Sequence, residues 1–247
     1  MLIVRKVSLA LAFAGGLLLV GTPGRPEDCN RNGIEDAAEL APQGFDFPSQ
    51  DDARRHAVGS EPRTLAIADL DGDGDGDIAA GCWGKWDGSS FVGPGIWVCL
   101  LDGAAVVATD ENPTAGYLHS LTAADIDADG LVDLVAGSAA GVTVLPGAGR
   151  GRFKAPVDRA FKTQPRSLAA GDLDGDGDVD LALGIEGDRV TPAFNSGDGS
   201  FTEGAAHEVA AGLEEVLAAD LDGDGDLDLA AACLGKFNGS RFIGSAV

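Results

Sequence analysis

At 247 residues and 45% hydrophobic, the chain is too apolar to be disordered by composition and long enough for one or two domains with a packed core. Forty acidic residues against 17 basic ones give a formal net charge of −23. A field of that sign repels phosphate backbones and argues against nucleic acid as a partner.

The N-terminus reads as an export signal over residues 1–24. Arg5 and Lys6 precede the uncharged, mostly apolar run Val7 to Val20, which is short for a membrane span and suits a signal-peptide core. No second run of that kind follows, so the expected location is secreted or at the cell surface, with no membrane span after signal cleavage. Residues 25–44 read as a Pro-rich linker holding one candidate calcium loop, Asp28, Asn30, Asn32 and Asp36, with Glu39 twelfth in the series. The same residues are also compatible with a simple polar turn.

Residues 45–247 are organised by a repeat. D-x-D-x-D-G-x-x-D recurs at Asp69 to Asp77, Asp125 to Asp133, Asp172 to Asp180 and Asp220 to Asp228. The starts at 69, 125, 172 and 220 lie 56, 47 and 48 residues apart, a period suited to propeller blades. An aliphatic residue stands four positions before each loop (Leu65, Leu121, Leu168, Val216) and another just after it (Ile78, Leu134, Leu181, Leu229). Short alternating runs on both sides of a polar turn predict two strands joined by each acidic loop. Gly147 to Phe153 and Asn195 to Phe201 read as Gly-rich hairpins leading to further strands. The 37 glycines and the frequent aspartates interrupt every stretch long enough to hold a helix. The fold class expected is all-β: β-propeller-type blades of short antiparallel strands, about four per period, forming an incomplete propeller.

The loops have the chemistry of a hard-cation site. Carboxylates at positions 1, 3 and 5 converge when the backbone curls, and glycine at position 6 (Gly74, Gly130, Gly177, Gly225) permits the turn. Position 7 offers a carbonyl and aspartate at position 9 closes the cage. An all-oxygen, flexible, many-ligand cage suits Ca²⁺ better than Mg²⁺, and zinc would want His or Cys, absent from the loops. The candidate ligands are Asp69, Asp71, Asp73, Asp75 and Asp77; Asp125, Asp127, Asp129, Leu131 and Asp133; Asp172, Asp174, Asp176, Asp178 and Asp180; and Asp220, Asp222, Asp224, Asp226 and Asp228. Position 12 of these four loops holds Ala80, Ala136, Leu183 and Ala231 rather than the bidentate Glu of an EF-hand.

These loops between short strands, followed by motifs such as Asn195 to Phe201, resemble the FG-GAP-like (VCBS) repeats and the calcium-bearing blades of the integrin alpha-subunit propeller. Pro62-Arg63-Thr64-Leu65 and Pro165-Arg166-Ser167-Leu168 stand at one offset before their loops, as repeats of that family often show. The resemblance covers residues 45–247 and implies a propeller with Ca²⁺ held by positions 1, 3, 5 and 9 and by the carbonyl at position 7. The integrin-type propeller has seven blades, and four loops are present here. Asp28 to Asp36 lies outside the blade pattern and is similar to dockerin or thrombospondin type 3 loops.

No catalytic constellation is legible. His56, His119 and His207 share no repeat position, no G-x-S-x-G motif occurs, and the basic residues read as neither repeating nor clustered. The expected function is an extracellular calcium-binding repeat protein, a binding or adhesion module for a protein or glycan ligand. The alternative is the propeller domain of a secreted carbohydrate-active enzyme such as a polysaccharide lyase. Trp83, Trp86 and Trp97 either cover a face between blades or stack on a sugar. Cys82 and Cys99 fall on successive strands and could pair if register allows. Cys233 repeats the Cys82 position (Cys82 to Phe91 matches Cys233 to Phe242), with Cys29 as its alternative partner. The position expected for a Cys99 equivalent falls past Val247, from which a C-terminally incomplete propeller is expected.

Overall fold

The computed structural model describes residues 59–102, 105–114, 116–138, 140–159, 161, 164–237 and 242–243. The signal, the 25–44 linker with the Asp28 loop, and Cys29 lie outside the described residues.

The described residues form strands and turns, with no helix among them. The first blade comprises β1 (Pro62–Ala68), β2 (Asp77–Cys82), β3 (Lys85–Trp86), β4 (Phe91–Val92), β5 (Gly95–Asp102) and β6 (Ala105–Pro113). The second comprises β7 (Leu118–Ala124), β8 (Asp133–Ser138), β9 (Gly141–Leu145), β10 (Gly147–Gly149), β11 (Arg152–Phe153) and β12 (Val157–Arg159). The third comprises β13 (Pro165–Gly171), β14 (Asp180–Ile185), β15 (Arg189–Asn195), β16 (Phe201–Glu203) and β17 (His207–Glu208). The fourth repeat contributes β18 (Leu213–Ala219), β19 (Asp228–Cys233), β20 (Lys236–Phe237) and β21 (Phe242–Ile243).

Three blades are antiparallel meanders: β1-β2-β5-β6, β7-β8-β9-β12 and β13-β14-β15-β16, with β17 also pairing β15. The Asp loops join the first two strands of each repeat. The 56-residue first period carries the inserted hairpin β3–β4 between β2 and β5, where the second and third blades use short turns. The fourth repeat shows the corresponding hairpin, β20–β21.

Period-2 alternation makes the stack. In the second blade Leu121, Leu134 and Ala136 face Ile96 and Val98 of the first, while Val135, Val142 and Val144 face Leu168, Leu181 and Leu183 of the third. Val216 then packs on Ala169, Ala182 and Val190. Side chains on both faces of each sheet thus interdigitate with neighbours, and each sheet depends on the next for its burial. Backbone–side-chain bonds cross the same interfaces: the Leu168 N–H donates to Ser120 Oγ at 3.0 Å and the Val216 N–H to Ser167 Oγ at 2.9 Å.

Two expectations are corrected. Leu65 and Leu229 belong to the repeat's apolar pattern but are 62% and 43% exposed, because they sit on the first and last sheets of the row. The Cys82–Cys99 pairing fails on register. Cys82 lies opposite Gly95 and Cys99 opposite Ile78, so the two are four residues apart along the ladder. That is about 13 Å, too far for a disulfide. Both thiols are buried, and desolvation pushes both above the ordinary thiol range. Cys82, Cys99 and Cys233 form no disulfide with one another.

Candidate metal centres

Each Asp loop is wound by its own carboxylates. At position 1, Asp69 accepts the N–H groups of Gly72 (2.8 Å) and Gly74 (3.0 Å); Asp172 does the same with Gly175 and Gly177, and Asp220 with Gly223 and Gly225. Position 3 accepts from the N–H at position 5, as Asp71 does from Asp73. The glycine at position 6 has φ from +84° to +101° across the four loops. A Cβ there would meet nothing within 4 Å in any loop, so it is backbone conformation, not space, that demands glycine.

The winding brings positions 1, 3 and 9 together. Asp69, Asp71 and Asp77 present one carboxylate oxygen each, all within 4.8 Å of one another; so do Asp125, Asp127 and Asp133, Asp172, Asp174 and Asp180, and Asp220, Asp222 and Asp228. A cation with metal–oxygen distances of about 2.3–2.6 Å fits among oxygens so spaced. Position 5 stands outside these groups. Asp73, Asp129, Asp176 and Asp224 each accept the N–H at position 7, at 2.8 to 3.0 Å. The donor set is all oxygen, as a hard cation requires, and the residues fit a metal ion.

Electrostatics point the same way. Asp71 and Asp174 are held above the ordinary carboxylate range, first by desolvation within the loop and then by neighbouring aspartates, with a backbone N–H opposing. Asp133 is raised chiefly by burial, against the N–H groups of Gly147 and Ile126, with Asp127 and Asp129 adding to the rise. A cation would relieve these repulsions. The second loop already has a partial counter-charge, since Lys154 Nζ lies 3.3 Å from Asp129 Oδ2.

Sequence reasoning missed the second task of position 9. Asp77 is fully buried and accepts from Leu70 N–H and Leu101 N–H, both at 2.8 Å. Asp133 accepts from Ile126 and Gly147 (2.9 and 2.6 Å), and Asp180 from Leu173 and Asn195 (2.9 and 2.7 Å). One oxygen thus holds the loop and the other holds the chain at or just beyond the end of the third strand. Asp228 is exposed and receives Leu221 N–H at 3.1 Å. Asn195 adds a tie between blades, donating from Nδ2 to the Ile126 and Val179 carbonyls at 2.7 and 3.0 Å.

The model of the FG-GAP-like repeat matches residues 125–183 and 172–231, which span the second, third and fourth loops. The chain carries FG-GAP-like repeats. No curated protein matches it. Among solved structures it is similar to a Tc holotoxin pore of Photorhabdus luminescens (22% identity, TM-score 0.44, 68% of this chain and 8% of that one). It is also similar to an Agrocybe aegerita lectin described as recognising non-reducing terminal N-acetylglucosamine (21%, 0.44, 70% and 47%). The V. cholerae biofilm matrix protein Bap1 is a third (21%, 0.37, 71% and 28%). The chain spans less than half the length of each. Among the described residues, no helix is long and apolar enough to cross a membrane.

Proposed function

We propose that this FG-GAP-like repeat protein is an extracellular binding module whose four Asp loops are structural Ca²⁺ sites. The observation that carries the reading is the fourfold recurrence of one carboxylate geometry, each time at the hairpin joining the first two strands of a repeat. A single acidic cluster is common on protein surfaces, whereas four copies that share the N–H bonds from position 6 to position 1, from 5 to 3 and from 7 to 5 indicate a shared ligand. Position 9 makes the ligand structural, because in three blades the carboxylate that would close the cage also holds the third strand. Export is supported by the apolar run Val7 to Val20 behind Arg5 and Lys6. Extracellular fluids hold the millimolar calcium that sites of about 10⁻⁴ to 10⁻³ M affinity need.

Calcium titration by equilibrium dialysis tests this. The expected result is saturable binding of about four ions per chain, with one fewer in Asp174→Ala. An ion beyond four would be assigned to the Asp28 loop, and Asp28→Ala would remove it. Absence of saturable binding at millimolar calcium would contradict the reading.

A further inference from the structure

The β-ladders of all four repeats break at one point. Register shifts between Pro62 and Thr64, Leu118 and Ser120, Pro165 and Ser167, and Leu213 and Glu215. The bulged residues are Arg63, His119, Arg166 and Glu214, each six positions before its loop, and all four are exposed. A bulge leaves its extra residue out of the ladder and re-aims the side chain. Since β1 packs on β7 and β7 on β13, these residues run in an arc across neighbouring strands. The arc lies about 20 Å from the Asp loops, six residues along an extended strand. Three of the four bulge positions hold Arg or His, and Arg63 and Arg166 are the pair already seen in sequence at one offset before their loops.

The arc is connected. The Arg63 guanidinium sits 4.4 Å over the Trp83 ring. Trp83 meets His119 edge-on and lies tilted to Tyr117, each at 5.8 Å, and donates from Nε1 to the Leu118 carbonyl at 2.6 Å. His119 is held below the ordinary imidazole range, by desolvation first and by the Arg166 charge second. Arg63 and Arg166 contact Glu61 (3.5 Å) and Glu186 (3.2 Å), with 47% and 61% of their side chains exposed. Exposed pairs of this kind are worth about 0–1 kcal/mol, so a ligand carboxylate can displace them.

We propose that the bulged ends of β1, β7 and β13 form a binding site for an acidic polysaccharide bearing carboxylates. This deepens the binding-module reading and rests on it. Guanidinium forks match carboxylates in bidentate geometry. Trp83 and Tyr117, both half-buried beside the arc, add apolar surface next to the guanidinium groups. A uronate matches both features in one sugar, and a polymer repeats them along an arc of strands. Its sparse charge is tolerated by a protein of net charge −23, whereas dense polyphosphate is repelled. A peptide would want a groove or a continuous open strand edge, and the bulges interrupt the ladder.

The probe is a hyaluronan octasaccharide, whose only charges are carboxylates, titrated calorimetrically into the calcium-loaded full chain. The expected result is binding that falls at least tenfold for the methyl-esterified octasaccharide and for the double variant Arg63→Ala, Arg166→Ala. Glu214→Arg, which extends the arc into the fourth repeat, should strengthen binding severalfold. No binding of the acid form overturns the proposal, as does equal binding of the ester, which needs no variant to fold. An unchanged affinity in the double variant, or preference for an oligoglutamate peptide, also overturns it. Calcium stoichiometry on the same samples reports separately on the metal sites.

Discussion

Ala128 occupies position 4 of the second loop with φ +55°, where the other three loops place glycine at +80° to +85°. A Cβ in that region costs about 1 kcal/mol. Ala128→Gly is therefore expected to raise stability by somewhat less than that, because glycine also gains entropy when unfolded, and urea unfolding measures the difference. Position 9 is the residue where the proposed metal site and the fold meet. Asp180→Asn would turn an amide N–H₂ toward one of the two N–H donors, the part-buried Leu173 or the buried Asn195, and a loss of about 1–3 kcal/mol is expected even in chelator. Asp174→Asn, exposed and in repulsion with its neighbouring aspartates, should not destabilise in chelator and should weaken calcium only. Equal behaviour of the two variants in chelator would refute the double role. Acid should act through the same carboxylates. Asp71, Asp133 and Asp174 are raised, so in the metal-free fold their protonation stabilises at low pH, and that contribution is lost as pH rises through their folded values. Calcium at the proposed sites would replace those protons, so the calcium-dependent rise in melting temperature should be large at about pH 7 and shrink toward about pH 4.5.

At the scale of the element, the repeat was legible because the loop spacing and the flanking aliphatics report two separate physical demands, turn chemistry and period-2 burial, that agree at Leu121, Leu134, Leu168 and Leu181. The Gly-rich hairpins were legible for the same reason, and Asn195 does pair with Phe201. Register was not, since it is set by partners distant in sequence: the four-residue offset of Cys82 and Cys99 follows from the inserted β3–β4 hairpin, not from cysteine spacing. The Asp77 and Asp133 bonds to Leu101 and Gly147 are likewise long-range and left no local signal. The second loop is the odd one of the four. It carries Leu131 where the others have Asp75, Asp178 and Asp226, and Lys154 contacts Asp129. Both changes reduce the charge offered to a cation. Calcium occupancy by anomalous scattering at limiting calcium should be lowest there, and Lys154→Ala should raise it; highest occupancy at Asp125 to Asp133 would contradict this.

At the scale of the whole molecule, nineteen of 40 acidic residues are gathered in the four loops, while Arg63, His119 and Arg166 stand at the opposite ends of the first strands. The sheets are held by packing against neighbours, so a loop that loosens its hairpin loosens two interfaces. At ten times its dissociation constant each site adds about 1.4 kcal/mol, and four independent sites add about 6. That is comparable with the net stability of a whole domain. The direct test is thermal unfolding of the intact chain, followed by circular dichroism, in millimolar calcium and again in excess EGTA at constant ionic strength. A large fall in melting temperature is expected in EGTA, reversed when calcium is restored; superimposable melting curves in the two conditions would contradict structural calcium.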